Sequence, residues 1–213
     1  TDALKRVRQL GENPNLIFNV GSPSIDLISE TSYLNKNKLE EILNFKFRSK
    51  NILFTYHPVT LEDDKNDIEI ILKSLSNLSS DVGIIITKSN GDDYGRQLNK
   101  IFDEFSLGKE QVKCFSALGQ FLYYNCLRLV DAVVGNSSSG LYEVPSFNKP
   151  TVNIGNRQKG RLAGKNILHC SAEEYNIFNL IKKCIKDKVF IKQCKNFENP
   201  YGKGNAGKKI ANF

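Results

Sequence analysis

The chain is 213 residues long, 40% hydrophobic and 25% charged, which is enough to bury one large core or two small ones and argues against disorder. No window approaches the roughly 18–20 uninterrupted apolar residues of a spanning helix, and the opening TDALKRVRQLGENPN lacks the apolar centre of a secretory signal, so no membrane contact and a cytoplasmic location are expected. The net charge of +7 would suit a polyanion, yet Lys and Arg are scattered with no basic stripe interleaved with aromatics, and nucleic acid is not an expected partner.

In chain order, short apolar runs rich in β-branched residues recur at 16–20 (LIFNV), 52–56 (ILFTY), 82–87 (VGIIIT), 112–115, 132–135 (AVVG), 151–154 (TVNI) and, briefly, 167–169. Each precedes a polar or glycine break and then a helical pattern, the alternation of a parallel sheet covered by helices. Residues 35–47 carry Leu39, Ile42, Leu43 and Phe47 at three- and four-residue spacing, and residues 66–78 carry Ile68, Ile71, Leu72, Leu75 and Leu78. Residues 96–105 repeat the pattern with Leu98, Ile101, Phe102 and Phe105, and 119–130 is apolar enough to be buried on several sides. The stretch 173–195 predicts one or two more helices, with Tyr175, Phe178, Ile181 and Ile185 as the stripe. About six parallel strands in one sheet make an α/β, doubly wound, Rossmann-like domain over residues 15–213. Five cysteines without a CxxC, and only two histidines, suggest neither a disulfide framework nor a metal site, and the cysteines read as small buried hydrophobes. The chain opens at Thr1 and contains no methionine, so it is expected to be processed or excised from something longer, with 1–14 and the glycine-rich end NPYGKGNAGKKIANF as its edges.

In an open α/β sheet, the loops leaving the carboxyl ends of the strands converge on the ligand crevice. Four such loops stand out: Gly21-Ser22-Pro23-Ser24, His57-Pro58-Val59-Thr60, Asn136-Ser137-Ser138-Ser139-Gly140, and the run from Gly155 to Arg161. NSSSG follows a buried strand and opens a helix, where unpaired N–H groups and three hydroxyls would hold a phosphate without a lysine. The alternative, that Ser137 or Ser138 merely caps the helix, stays open on this loop alone. Glu143 lies five residues beyond Ser138, about 7 Å along a helix axis, within reach of ribose hydroxyls if a phosphate sits at the helix start. His57 ends a strand and precedes Pro58, which forces extended geometry, so its imidazole could donate to a diphosphate or a leaving-group oxygen. His169, at the end of a short late strand, reads as structural. Arg157 and Arg161 sit in a glycine-bracketed loop where a guanidinium can meet a diphosphate or simply face solvent. There is no GxGxxG after the first strand, no GxxxxGK[ST] and no GxSxG, which argues against a bound dinucleotide cofactor, a P-loop ATPase and a nucleophile-elbow hydrolase.

The stretches NVGSPSID, TYHPVT, GNSSSGLYEVPSFNKPTVNIGNRQKGR, GKNILH and NPYGKGNAGKKI, in this order and spacing, resemble the UDP-N-acetylglucosamine 2-epimerase family, whose members have the GT-B fold of two Rossmann-like domains. The resemblance covers the second, nucleotide-binding domain, so residues 1–14 would be the segment leaving an N-terminal domain that this chain lacks. HPVT is similar to the hydrolysing branch, which releases N-acetylmannosamine and UDP and serves sialic-acid-type sugar synthesis. The resemblance implies that Ser137 and Ser138 hold the diphosphate, that Glu143 holds the ribose, and that His57, as a catalytic group, and Arg157 contact the phosphate side of the cleft. It also implies a role for Gly21 in the first loop and places the uracil near Phe115 and Ser116. It implies no cofactor and no metal, a UDP-amino sugar as ligand, essential carboxylates and a partner surface in the N-terminal domain, and it allows a homo-oligomer. The loop TKSNGDDYGRQL departs from the PNxDAGxR-like sequence of relatives, which puts contacts from Asn90 and Asp92 in doubt and leaves a diacetamido sugar as an alternative substrate. A GT-B glycosyltransferase, using the same donor half to make a glycoside, is the rival reading.

Overall fold

The computed structural model describes residues 2–59, 65–91 and 93–213. Six strands form one all-parallel sheet: β1 (Lys50–Thr55), β2 (Val82–Thr87), β3 (Val112–Phe115), β4 (Ala132–Gly135), β5 (Thr151–Ile154) and β6 (Ile167–Cys170), in the order β3-β2-β1-β4-β5-β6. That order is the doubly wound arrangement, with the chain reversing its direction of travel across the sheet between β1 and β4.

Side chains along each strand alternate between two cores, as the two-residue period of a strand requires. Ile52 and Phe54 of β1, Ile84 and Ile86 of β2, and Ala132 and Val134 of β4 face one side. There they meet α4 (Lys65–Ser76), α5 (Asp93–Ser106), α8 (Glu174–Lys186) and α9 (Lys188–Lys195) through Ile71, Phe102, Ile181 and Phe190. Leu53, Ile85 and Val133 face the other side, against α3 (Lys36–Leu43) and α6 (Gly119–Leu129), through Leu39, Leu43 and Leu127. With both faces covered, the inner strands β1, β2 and β4 carry near-continuous apolar runs and not an alternating pattern, which is why they stand out in the sequence.

Three expectations are corrected. Residues 16–20 are not a strand: after α1 (Asp2–Gln9), Pro14–Leu16 is a single 3-10 turn, and the chain runs irregularly to α2 (Pro23–Glu30). The run pairs with none of the six strands: β1 lies between β2 and β4, and the edges are β3 and β6. Leu16 is accordingly 73% exposed, and Phe18 stacks on the ring of Phe213, 3.9 Å away. The helix expected to reach 47 stops at Leu43, because Asn44 turns left-handed (φ 45°) and its N–H takes the carbonyls of Glu40 and Glu41. Ile42 therefore points outward, while Phe45 and Phe47 pack edge to face in the core beyond the helix. On α8 the buried stripe is Ile177, Ile181, Cys184 and Ile185, and Tyr175 lies 78% exposed. Cys126, Cys184 and Cys194 are buried, as expected of small hydrophobes, whereas Cys114 and Cys170 are half-buried. Among the described residues no helix is long and apolar enough to cross a membrane.

Candidate functional site

At the reversal point, β1 and β4 run side by side in the register Thr55↔Gly135. Gly135 makes the close approach possible: its φ is +129°, and a Cβ there would overlap the carbonyl of Thr55. The Asn136 N–H then donates to the Thr55 carbonyl at 3.1 Å, carrying the ladder one residue past the strand.

Asn136 is the residue that ties the site together. Its side-chain oxygen accepts from the His57 N–H at 2.8 Å and its amide donates to the His57 carbonyl at 2.7 Å, so a side chain completes the pairing that the backbone abandons. Its own carbonyl accepts from Gln158 Nε2 at 2.7 Å and from Arg157 Nη1 at 3.2 Å. One buried asparagine thus fixes the loops after β1, β4 and β5 relative to one another. Surrounding desolvation, and then the neighbouring Arg161, pull the Arg157 guanidinium below its ordinary pKa, and it remains a cation.

A cleft of about 650 Å³ opens above the carboxyl ends of β1 to β4. The Thr55 and Thr87 hydroxyls, hydrogen-bonded to each other across the β1–β2 register, lie at its base. His57, Ser116, Ser137 and Glu143 line it, so four of the residues singled out in the sequence meet in one place. The His57 ring is set by Ser89, whose Oγ is 3.2 Å from Nδ1, and Ser89 is itself clamped by Asn99 through both backbone groups, at 2.8 and 3.2 Å. Asn90 lines the cleft, while Thr60 and Asp92 lie outside the described residues.

The other expected site residues stand apart from the lining. Phe115, the last residue of β3, gives its carbonyl to the Lys88 N–H, and only the following Ser116 reaches the cleft. Arg157 stands behind it, on the Asn136 carbonyl. Gly21 (φ +91°) is held elsewhere, close to the Tyr201 carbonyl, and the next N–H, that of Ser22, donates to that oxygen at 2.9 Å. This first loop receives the glycine-rich tail: Asp26 accepts from the N–H groups of Ala206 and Gly207, the first turn of α10 (Ala206–Ala211), at 3.0 and 2.8 Å. Those two bonds hold the Asp26 carboxyl below the usual carboxylate range.

The serine turn differs in detail from its sequence reading. Its helix, α7, has only four residues, Ser139–Tyr142, before a 3-10 turn takes over at Val144, so its dipole is that of a single turn. Ser138 sits at the cap position without a side-chain cap bond, and the Ser137 oxygen accepts only a long bond, 3.4 Å, from the Ser139 N–H. Ser137 and Ser139 line the cleft and Ser138 does not. Asn136 and Ser139 belong to the serine loop singled out in the sequence but had no role of their own there, and Tyr123 was missed altogether. Asn136 could have been found by asking what continues a ladder that glycine ends, whereas nothing in the spacing of α6 marks Tyr123.

Chemically the cleft is rich in hydroxyl and amide donors, with one imidazole, the Glu143 carboxylate and Lys88, whose ammonium is paired with Asp103, which suits an anion attached to a group with hydroxyls of its own. Among the described residues no cluster of three His, Cys, Asp or Glu is placed to hold a metal ion. A second depression, of about 730 Å³, is built from α9 and the segment after it and shares no residue with the cleft.

Three kinds of likeness bear on this geometry. The model of the family described as UDP-N-acetylglucosamine 2-epimerase matches residues 1–213. A Campylobacter jejuni protein named GDP/UDP-N,N'-diacetylbacillosamine 2-epimerase (hydrolyzing) is 39% identical over 167 residues, covering 77% of this chain and 43% of the relative. The Escherichia coli polysialic acid biosynthesis protein P7 is 33% identical over 216 residues, covering 95% and 51%. The chain spans about half the length of the curated relatives it matches. Among solved structures, S. aureus MnaA with UDP superimposes with a TM-score of 0.76 at 20% identity, over 99% of this chain and 56% of that one. The Neisseria meningitidis UDP-GlcNAc 2-epimerase bound to UDP-GlcNAc gives 0.75 at 19%, over 99% and 57%. The fold is the Rossmann-like unit that forms one half of a GT-B enzyme. With a family model matched from end to end and the sheet order agreeing, the chain belongs to the UDP-N-acetylglucosamine 2-epimerase family.

Proposed function

We propose that this chain is the nucleotide-binding half, residues 15–213, of a hydrolysing 2-epimerase that converts a UDP-amino sugar and water to UDP and the free 2-epimeric sugar. The observation that carries the reading is the convergence of His57, Ser116, Ser137 and Glu143 on one cleft at the sheet's reversal point. In the proposed pose the diphosphate lies against Ser137 and the turn that follows, the ribose hydroxyls donate to Glu143, and the uracil packs beyond β3 at Ser116. His57 donates to the diphosphate as it leaves, and Arg157, behind Asn136, adds positive charge on the same side.

The chemistry follows from those places. A base removes the proton from C2 of the sugar while the C1–O bond breaks, its electron pair leaving with UDP, and water then adds across the resulting glycal to give the epimeric reducing sugar. Negative charge grows on the diphosphate oxygens as that bond breaks, so hydroxyl, amide and imidazole donors fixed in advance bind the transition state better than the substrate. The base and acid acting on the sugar would come from an N-terminal domain, since this chain matches only about half of its relatives. Closing of the two halves would then expel water and complete the site. Two relatives carry names that favour a sugar of the bacillosamine or sialic-acid kind over plain N-acetylglucosamine.

Calorimetric titration of this chain with UDP is expected to show weak binding and no turnover of UDP-sugar. In the full-length protein, the reaction in D₂O should give free UDP and an amino sugar carrying one deuterium at C2. A glycoside product, or no exchange at C2, would replace the epimerase reading with the glycosyltransferase one.

A further inference from the structure

We propose that Tyr123 and Ser139 form a hydroxyl relay in which the tyrosine fixes the serine as a donor to a phosphate oxygen of the bound ligand, a contact additional to that of Ser137. The proposal deepens the UDP-binding reading above and rests on it. Its basis is a count of hydrogens. Tyr123, on α6, donates its phenol hydrogen to Ser139 Oγ at 2.7 Å, and both residues line the cleft. A serine hydroxyl owns one hydrogen and two lone pairs, so a serine that accepts from tyrosine still has its own hydrogen to give. Among the described residues nothing accepts it. Ser137, two residues earlier, is in the same position: its oxygen takes a long contact from the Ser139 N–H, and its hydrogen goes to no protein atom among the described residues. The lysine that lines the cleft, Lys88, has its ammonium paired with Asp103 at 2.6 Å, so two neighbouring hydroxyls with hydrogens to spare match a group that can only accept, as a phosphate does.

The adjacent tyrosine shows the difference. Tyr124 is closed on both sides, accepting from Gln120 Nε2 at 3.2 Å and donating to the Ser24 carbonyl at 3.3 Å, so its hydroxyl serves the protein alone. Tyr123 ends instead on a serine that opens into the cleft. Burial pushes the Tyr123 phenol up, so it stays protonated, and therefore a donor, throughout the neutral range. Phenylalanine would fill the same space and leave the Ser139 hydroxyl free to turn its hydrogen back into the protein.

The test compares a ligand that has phosphates with one that lacks them. UDP affinity is measured by calorimetry and uridine affinity by NMR titration, for the wild-type chain and for Tyr123→Phe, Ser139→Ala and the double variant. Each single change is expected to weaken UDP binding by about tenfold and to leave uridine binding as it was, because only the phosphate contact is lost. The double variant should bind UDP no more weakly than Ser139→Ala, since the tyrosine acts through the serine. Unchanged UDP affinity in either single variant, or an equal loss for UDP and uridine, overturns the relay while leaving the UDP reading intact. A wild-type chain that takes up no UDP overturns both.

Discussion

The two ends of the sheet use polar groups in opposite ways. Near its amino-terminal end the charges are matched within the protein: Lys50 meets Asp131 at 2.9 Å, the other oxygen of Asp131 accepts from the Asn51 N–H at 2.8 Å, and Glu40 takes Lys46 and the Phe47 N–H, both at 2.9 Å. At the carboxyl end the buried polar side chain, Asn136, holds backbone in place, and the hydroxyls of Ser137 and Ser139 are left with hydrogens to give. A set of groups whose needs are met internally stabilises the fold and offers nothing to a ligand. A surplus of rigidly placed donors adds little stability and is available for binding. Changes at the amino end should therefore move stability without moving UDP affinity, and changes among the cleft hydroxyls should do the reverse. The seam where β4 gives way to the site should move both.

The largest effect is expected at that seam. Gly135→Ala forces a Cβ into the Thr55 carbonyl at a backbone conformation that non-glycine residues rarely adopt, so β1 and β4 must separate at the point where the site begins. A loss of about 3–5 kcal/mol in urea unfolding is expected, or a chain that does not fold. Asn136→Ala comes next. It deprives the His57 N–H and carbonyl of their partner and loosens the loops on either side, which should cost about 2–3 kcal/mol and weaken UDP binding by more than tenfold. A variant at Asn136 that loses stability but binds UDP as before would show that the seam belongs to the scaffold and that the cleft organises itself without it.

The same division explains what could be read from the sequence. Strands β2 to β5 were legible to the residue because a doubly covered strand is an unbroken apolar run closed by a glycine or a polar residue, and VGIIIT, AVVG and TVNI are such runs. LIFNV has the same composition and is no strand, because β character also needs a neighbour with which to pair, and composition cannot supply one. In the candidate site, the places of His57, Ser116 and Ser137 after strand ends, and of Glu143 just beyond the serine turn, were enough to single out four residues that line one cleft. Gly21 followed the run misread as a strand and proves to seat the tail beside Tyr201, while Arg157 reaches the Asn136 carbonyl and not the cleft lining. Tyr123 and Ser139 touch across 16 residues of sequence, through the packing of α6 against the turn after β4, and no local pattern records such a contact.

Glu40 gives the smallest and most selective test, because its effect should appear in stability and depend on pH. Burial alone would raise its pKa, but the Lys46 ammonium, the Phe47 N–H and the more distant Lys36 outweigh that and hold the carboxyl below its ordinary 4.5. A carboxyl held low in the folded state stabilises the fold at pH values above its unfolded pKa and loses that contribution as the pH falls through the folded pKa. Glu40→Gln keeps an oxygen for the Phe47 N–H and gives up the charge facing the lysines. At pH 7 it should therefore cost about 1 kcal/mol in urea unfolding, a modest figure because Lys46 is largely exposed. The gap between variant and wild type should narrow below pH 4.5 and close in stronger acid, where the wild-type carboxyl is neutral too. UDP affinity at pH 7 should not change. If the gap were constant with pH, the loss would come from packing and not from charge; if UDP binding fell as well, the amino-terminal end would not be separate from the site.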